Sequence, residues 1–493
     1  MSSHPPLPPL VEQVRTAVPP DTALYLVGGA VRDLLLGRAV HDLDFVVPGR
    51  AIPLARKVAN ALGGDFYTLD AERDAGRVLL PDGQAALDFV AMQGSTLEED
   101  LAGRDFSINA MALSLHDASL HDPLGGAADL RAKRLRMTGS LAFAHDPVRI
   151  LRAVRIAASF GLQIEPETRA ALRAAVPQLG QVSLERIRDE VFRLLLAPKP
   201  ATSLRSLDLL GALTPLFPEL EPLKGLEQSE PHIYDVWNHS LHVVDKLGLV
   251  FSALDENYPA DGVGELVSGL TVLRLGRYRS QISQHLAGEL VPGRPRRAVL
   301  LLAALLHDAG KALTRSLDKN GRIRFFEHEA RGAELIERRA KALHLSSDET
   351  ELLRTIVAHH MRPFLLAHTG ELPSRRAIYR FFRDAGAAGV DICLLSLADQ
   401  LGKRGPNLDE AELTRTLDTL RALLEAYYEQ AEEVISPPVL LTGNDLMTEL
   451  GLKPGRKVGE ILEALREAQA MGKVPDRAAA LAFARKQVRS GRN

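Results

Sequence analysis

An α+β chain, with a small mixed-sheet head followed by a long and mostly helical body, is what this sequence predicts. Three observations carry the prediction. Between Leu24 and Val47 a strand, a Gly-Gly turn, a short helix and a second strand follow one another directly. From Asp65 to Ala91 short β-rich runs alternate with turn residues. From Ala144 onward apolar residues recur at helical spacing, interrupted by proline.

Length and composition bound the rest. The 493 residues exceed one ordinary core, so about three or four domains are expected. The chain is 46% hydrophobic and 25% charged, with a formal net charge of −3. That balance excludes a uniformly basic nucleic-acid binder, but not local basic patches. The single cysteine, Cys393, excludes an internal disulfide or a thiolate metal cage. No apolar run of membrane-spanning length and no signal peptide is found, so a cytoplasmic location without membrane contact is expected. The Pro-rich start leads us to expect a flexible N-terminus through residue 22. No heptad run or tandem repeat sets an oligomeric state.

The elements follow in order. Leu24–Val27 is an apolar run suited to a buried strand. Gly28 and Gly29 break it where the backbone needs unusual φ or close approach to a ligand. Ala30–Leu36 is a short helix ended by Gly37. The next strand carries Asp42 and Asp44, which face the same way because strand side chains alternate. Two carboxylates side by side repel, and one protonates unless a cation lies between them. A hard cation such as Mg²⁺ takes oxygen ligands and leaves positions for phosphates. Two such ions can hold the attacking and leaving oxygens of an in-line displacement. The Gly-Gly turn offers N–H groups to a phosphate, and Arg32 can join them.

Ala51–Leu62 has helical spacing and ends at Gly63–Gly64. Asp65–Leu69 and Gly76–Leu80 read as strands, Pro81-Asp82-Gly83 as a turn, and Ala86–Ala91 as the returning strand. Asp88 on that strand is either a third site carboxylate or an exposed strand residue. In Leu97–Leu113, Arg104 suits a bidentate phosphate clamp and Asp105 a hydroxyl acceptor. His121–Arg136 reads as structural, with Leu130–Leu135 returning to the sheet.

Ala144–Leu162 is an amphipathic helix bearing Arg149, Arg152 and Arg155. It opens with His145-Asp146-Pro147-Val148-Arg149, and the i,i+3 spacing puts Asp146 and Arg149 on one face. A carboxylate accepts from an exocyclic amino group, and a guanidinium donates to a ring nitrogen or carbonyl. Cytosine and adenine share that pattern; uracil and guanine do not. Asp-Pro is equally what an N-cap with proline at N1 looks like. Further on, Arg186, Glu190 and Arg193 form an i,i+4-type ladder.

A second chemistry begins near Asp235. His239 and His242 share a helical turn, and His307–Asp308, His328, His359–His360 and Asp399 follow. Imidazoles and carboxylates on packed helices suit a divalent metal that activates water. Val250–Arg297 lacks strong periodicity and reads as a partly mobile insertion. Asn407–Glu432 is helical. The tail from Pro437 has a Gly-rich turn and an amphipathic helix, suited either to RNA backbone or to packing.

GGAVRDLLLG followed by HDLDFVV resembles the class II tRNA nucleotidyltransferase and bacterial poly(A) polymerase family. The resemblance implies a polymerase-β-like nucleotidyltransferase head, with Asp42 and Asp44 holding Mg²⁺ and Asp88 as a further acid. RDFSINA is similar to the family's second block, usually RRDFTINA, with Gly103 where the first arginine stands. By that match Gly28, Gly29, Arg32, Arg104, Asp105 and Asn109 bind nucleotide. Asp146 and Arg149 align with the base-reading EDxxR motif, His145 replacing its glutamate, and Arg152 and Arg155 extend that face. Arg193 replaces the lysine of the family's RxxxExxK neck motif. The histidine series resembles the HD phosphohydrolase superfamily. It implies His239, His307, Asp308, His328, His360 and Asp399 as ligands of a transition metal such as Ni²⁺ or Mn²⁺, with His360 preferred to His359.

The implied activity is template-independent addition of CCA, or part of it, to tRNA 3′ ends from CTP and ATP. Two alternatives stand beside it. A poly(A) polymerase shares the head but is expected to carry strongly basic extensions. An HD phosphohydrolase could use the head as an RNA-binding module, against which the intact Asp42/Asp44 pair argues. The expected domains are 1–22 flexible, 23–140 head, 141–225 helical neck, 226–425 HD domain with an insertion near 250–297, and 426–493 RNA-binding tail.

Overall fold

The structure is a computed structural model that describes residues 7–40, 42–81, 85–257, 266–404 and 409–490. The turn expected at Asp82–Gly83 lies outside the described residues. The chain divides into two compact units, Met1–Pro215 and Leu216–Asn493.

The first unit opens with α1 (Pro9–Ala17), followed by β1 (Tyr25–Val27), α2 (Gly29–Leu35), β2 (Asp42–Val47) and α3 (Ala51–Leu62). Then come β3 (Asp65–Asp70), β4 (Ala75–Leu79), β5 (Ala86–Ala91), α4 (Leu97–Ala102), β6 (Ala112–Ser114) and β7 (Leu120–His121). The strands form one sheet in the order β3-β4-β5-β2-β1-β6-β7. Only β2 and β5 run parallel among its pairs; the others are antiparallel, so the sheet is mixed.

Alternation sorts β2 cleanly. Leu43, Phe45 and Val47 point into a core with Leu26, Leu87 and Phe89, where Phe45 and Phe89 stack at 4.9 Å. Asp42 and Asp44 therefore stand on the other face. Helix α3 covers the core with Ala51, Leu54, Ala55, Val58 and Ala59, an i, i+3, i+4, i+7, i+8 stripe, and stops at left-handed Gly63. The expectation of a flexible start fails over Pro9–Ala17. Proline sits at the start of α1, and Val11 and Val14 are fully buried in the same core. Each buried valine stabilises by about 1.5–3 kcal/mol, enough to order a two-turn helix.

A second correction concerns Leu130–Leu135. Residues Gly126–Arg131 form α5. The short β8 (Arg134–Leu135) pairs in parallel with β9 (Gln163–Ile164), in a separate two-stranded sheet. Between β8 and β9 lie α6 (Ala142–His145) and α7 (Arg149–Phe160). After β9 come α8 (Pro166–Ala175), α9 (Leu184–Leu195) and α10 (Pro200–Leu210).

The second unit is almost wholly helical. Its centre is the helix Ala388–Lys403, in which every residue is buried. That is the pattern of a helix apolar on all sides, and it makes the two aspartates it carries informative. Helices Val236–Ala253, Arg296–Leu306, Ser347–His359 and Glu410–Tyr428 pack against it, and His328–Ala342 packs on Ser347–His359. The expected mobile insertion is corrected in part. Leu266–Leu275 and Arg279–Ala287 are helices whose Leu275 and Ile282 are buried, and the former packs on Val236–Ala253 and Glu410–Tyr428. Burial on more than one side blurs the apolar period there. Residues 258–265 of the insertion lie outside the described residues. The tail from Leu440 has its own small core around Leu446, Ile461 and Leu465.

Candidate functional site

Sheet register builds the head site. Asp88 of β5 stands opposite Asp44 of β2 and opposite Arg77 of β4, so all three share one face. Both oxygens of Asp88 are taken by Arg77, at 2.6 and 2.7 Å. Burial and the neighbouring charges of Asp88 and Asp42 push the Asp44 carboxyl above its usual range, against the pull of Arg104. Asp44 is open to water on its outer side yet crowded by like charge, the condition that a divalent cation relieves. Gly28, at φ +73°, makes the close approach possible. A Cβ there would stand 3.2 Å from an Arg104 guanidinium nitrogen and 3.6 Å from Asp44 Oδ2.

A buried relay links the expected nucleotide-binding residues. Arg32 Nη1 donates to Asn109 Oδ1 at 2.7 Å, and Asn109 Nδ2 donates to Asp105 Oδ1 at 3.0 Å. Arg152 Nη1 donates to Asp105 Oδ2 at 3.1 Å. Asp105 thus braces α7 against the head rather than standing free. Arg104 is held by Asp100 of α4 at 3.1 Å. Arg155 donates to the buried Glu190 of α9, which also meets Arg193, so this arginine joins the neck ladder.

The Asp146–Arg149 segment differs from an N-cap. Helix α7 starts at Arg149, and no side chain caps it. Asp146 Oδ2 instead accepts from Arg186 at 2.7 Å. Arg149 donates through its two terminal nitrogens to the carbonyls of Gly103, Arg104 and Ala142, at 3.0–3.1 Å. Its Nε and Asp146 Oδ1 are buried without a hydrogen-bond partner.

In the second unit all six expected ligands converge. His239 Nε2 lies 3.0 Å from Asp399 Oδ1 and 3.6 Å from Asp308 Oδ2. His307 Nε2 lies 3.1 Å from Asp308 Oδ2, and His328 Nε2 lies 3.4 Å from Asp308 Oδ1. His360 Nε2 is 3.9 Å from the same Oδ1. Two sets, His239/His307/Asp308 and Asp308/His328/His360, keep their ligand atoms within 4.8 Å of one another. Among the described residues no such trio is found in the head, where Arg77 holds Asp88.

The donor set fits a divalent metal. His239 Nε2 and His307 Nε2 have no hydrogen-bond partner despite their carboxylate neighbours. Ligands at right angles around an ion, each about 2.1 Å away, stand about 3 Å apart. His307, His328 and His360 each direct Nδ1 at the carbonyl three residues upstream, at 2.8–2.9 Å. A carbonyl only accepts, so Nδ1 carries the proton and Nε2 turns its lone pair inward. Burial and the nearby His307 and His328 lower His360 to about 3, which keeps it neutral. Asp308 and Asp399 stay ionised. Burial alone would raise them, but the ammonium of Lys311 beside one and that of Lys403 beside the other hold both well below the usual range. His359 lies outside the cluster, and His242 stacks on Tyr234 at 4.1 Å.

Gly310, two residues after Asp308, lets the loop close. A Cβ there would meet the His328 carbonyl at 2.0 Å. Gly310→Ala is therefore expected to displace His328, lowering both melting temperature and Mn²⁺ affinity. Unchanged Mn²⁺ binding by electron paramagnetic resonance would refute this.

Sequence reasoning missed Arg77 in the head and Lys311, Lys403, Gln228 and His232 around the metal cluster. A signal existed for the lysines: each acidic ligand is followed by lysine, in HDAGK and in ADQLGK.

Fold and site together define a nucleotidyltransferase of the polymerase-head type, followed in the same chain by an HD domain with a candidate metal-binding cluster. Residues 24–136 match the poly A polymerase head domain, and 272–410 match the HD domain. Residues 161–224 match the "Probable RNA and SrmB-binding site of polymerase A", and 412–484 match a tRNA nucleotidyltransferase domain 2. An A-adding tRNA nucleotidyltransferase of Deinococcus radiodurans is 34% identical, over 97% of this chain and 96% of its own. A CC-adding tRNA nucleotidyltransferase of Geobacter sulfurreducens is 33% identical, over 94% and 92%. The fold is also that of a CCA-adding enzyme solved with ATP, with TM-score 0.64 at 20% identity, covering 98% of this chain and 96% of that one. The chain belongs to the tRNA nucleotidyltransferase family.

Proposed function

We propose that the head adds C, A or both to the 3′ end of tRNA, from CTP and ATP, without a nucleic acid template. The observation that carries this reading is the same-face pair Asp42/Asp44, with Asp44 raised by burial and like charge, in a chain related end to end to A-adding and CC-adding enzymes. The tRNA 3′-hydroxyl attacks the α-phosphate of the nucleotide, and pyrophosphate leaves. Asp42 and Asp44 would hold Mg²⁺, which lowers the pKa of the hydroxyl and shields the phosphates. Arg32 and Arg104 orient the triphosphate near the Gly28 turn. Asp146 Oδ1 and Arg149 Nε offer one acceptor and one donor, the complement of the cytosine and adenine edges. Among the described residues no helix is long and apolar enough to cross a membrane, and we propose that the enzyme works in the cytoplasm.

The test uses two transcripts of one tRNA, lacking CCA or ending in CC. Each is incubated with CTP, ATP or both, and the 3′ ends are sequenced. Addition of C to the first or A to the second supports the reading. Long A tails would move it to a poly(A) polymerase, and no addition at all would overturn it.

The HD cluster favours a second activity, metal-dependent phosphohydrolysis. His307→Ala and Asp308→Ala are expected to remove Ni²⁺- or Mn²⁺-dependent phosphate release while nucleotide addition persists. Loss of both activities in folded protein would point to one shared site instead.

A further inference from the structure

Helix α7 ends at Phe160, a half-buried residue whose ring meets two guanidiniums of the head. Arg32 Cζ stands 4.1 Å from the ring centroid and Arg38 Cζ 4.5 Å. Arg32 belongs to α2 and is buried. Arg38 is exposed on the turn that follows α2, where its amide donates to the Asp33 carbonyl at 2.9 Å. The edge of the Arg32 guanidinium is held as well. Nε and Nη2 each donate to an oxygen of Asp33 at 3.0 Å, and Nη1 donates to Asn109. Among the described residues these bonds use one N–H on each nitrogen, so each terminal nitrogen keeps one for a ligand. Nη2 lies against the Gly-Gly turn, where a Cβ on Gly29 would stand 3.2 Å away. Asp33 follows Arg32 on the same helix and does not fix it relative to the rest of the site. Asn109 and Phe160 do, and both lead to α7, the first through Asp105 and Arg152.

We propose that Phe160 is a positioning residue for nucleotide addition, its ring fixing the plane in which Arg32 presents its two remaining N–H groups to the triphosphate. The proposal rests on the reading of Arg32 as a phosphate ligand. A planar cation bonded only along its edge still tilts about that edge, and a ring stacked on its face removes the tilt. A guanidinium ordered before the ligand arrives loses less freedom on binding, which raises affinity. Asp33 already balances the charge of Arg32, so what the ring adds is direction. Leucine fills much of the same space but presents no π face. A ring that only fastened α2 to α7 would act through its volume, which leucine largely keeps. Because α7 begins at Arg149, one helix about 16 Å long reaches from the segment proposed to read the base to the arginine proposed to hold the phosphates.

The test uses the full chain with Mg²⁺ and the tRNA transcripts described above. KM and kcat are measured for CTP and ATP, and pyrophosphate probes the phosphates alone through its inhibition of addition. Phe160→Leu should raise KM for the nucleotide added and the inhibition constant of pyrophosphate, each about fivefold, the size of one partly exposed cation–π contact. Melting temperature and kcat should change little, and Phe160→Tyr should keep both constants near those of the parent. If Phe160→Leu does not fold, Phe160→Met serves in its place. A lowered melting temperature with parental KM and parental pyrophosphate inhibition, or a Tyr variant no better than Leu, overturns the positioning role. Arg32→Met separates this proposal from the reading beneath it. It should weaken pyrophosphate inhibition more than Phe160→Leu does, and in its background Phe160→Leu should add nothing further. If Arg32→Met weakens inhibition and Phe160→Leu does not, the positioning role alone fails. If Arg32→Met leaves inhibition unchanged, Arg32 is no phosphate ligand and both fail.

Discussion

Asp42→Ala and Asp44→Ala are each expected to lower nucleotide addition by at least about a thousandfold while the head stays folded. The size follows from losing a group that holds the charge of the reacting phosphates. The intact fold follows from the direction in which Asp44 is shifted. Burial, Asp88 and Asp42 raise its pKa, so ionising it costs the folded state free energy. A raised carboxyl contributes stability that is present below its unfolded pKa and lost as pH rises through the folded one. At neutral pH, without divalent cation, the Ala variant should then melt no lower than the parent through this charge effect. Below the unfolded pKa that relative advantage should disappear. Adding Mg²⁺ should raise the melting temperature of the parent and not of Asp44→Ala. Near-parental turnover by either variant at ordinary Mg²⁺ would remove the pair from the active site.

What was legible in the sequence is what a short-range period encodes. The two-residue alternation of β2 placed Asp42 and Asp44 on one face, and glycine marked where α2 and α3 stop. The six expected HD ligands were picked by motif order, and the side chains converge although 160 residues separate His239 from Asp399. What was illegible depends on pairing across elements. Arg77 and Asp88 lie on either side of the turn expected at 81–83, yet only the β4–β5 register shows that they meet. Lys311 and Lys403 follow the acidic ligands in sequence, but only the packing shows that both are buried beside them. The Pro-rich start led to the expectation of a flexible N-terminus, whereas proline at the first helical position costs no hydrogen bond.

Arg149 and Asp146 should separate base discrimination from stability, because the structure divides their hydrogen bonds between the two tasks. Arg149 uses its terminal nitrogens to hold three backbone carbonyls that shape the Arg104 loop. Arg149→Ala leaves those acceptors unpaired in a half-buried place, at a cost of about 2–3 kcal/mol. It should also displace Arg104 and so slow addition of every nucleotide. Asp146→Ala loses an ion pair with a half-exposed Arg186 and a looser one, at 3.9 Å, with Arg149, together worth about 1 kcal/mol, because Asp146 does not cap α7. The free Oδ1 of Asp146 is then the cleaner probe of base reading. A site built to bond an amino group rejects a base lacking one because its buried acceptor stays unpaired. Removing that acceptor should reduce the preference for C or A over U and G by about a hundredfold, with melting temperature nearly unchanged. Arg149→Lys keeps the charge but loses the fork and the Nε donor, and should fall between the two in stability while losing discrimination. Incorporation ratios for the four nucleotides, measured by sequencing the tRNA 3′ ends, decide the matter. If Asp146→Ala and Arg149→Lys keep the parental ratios, the segment is a structural junction between the head and α7, and base choice is made elsewhere.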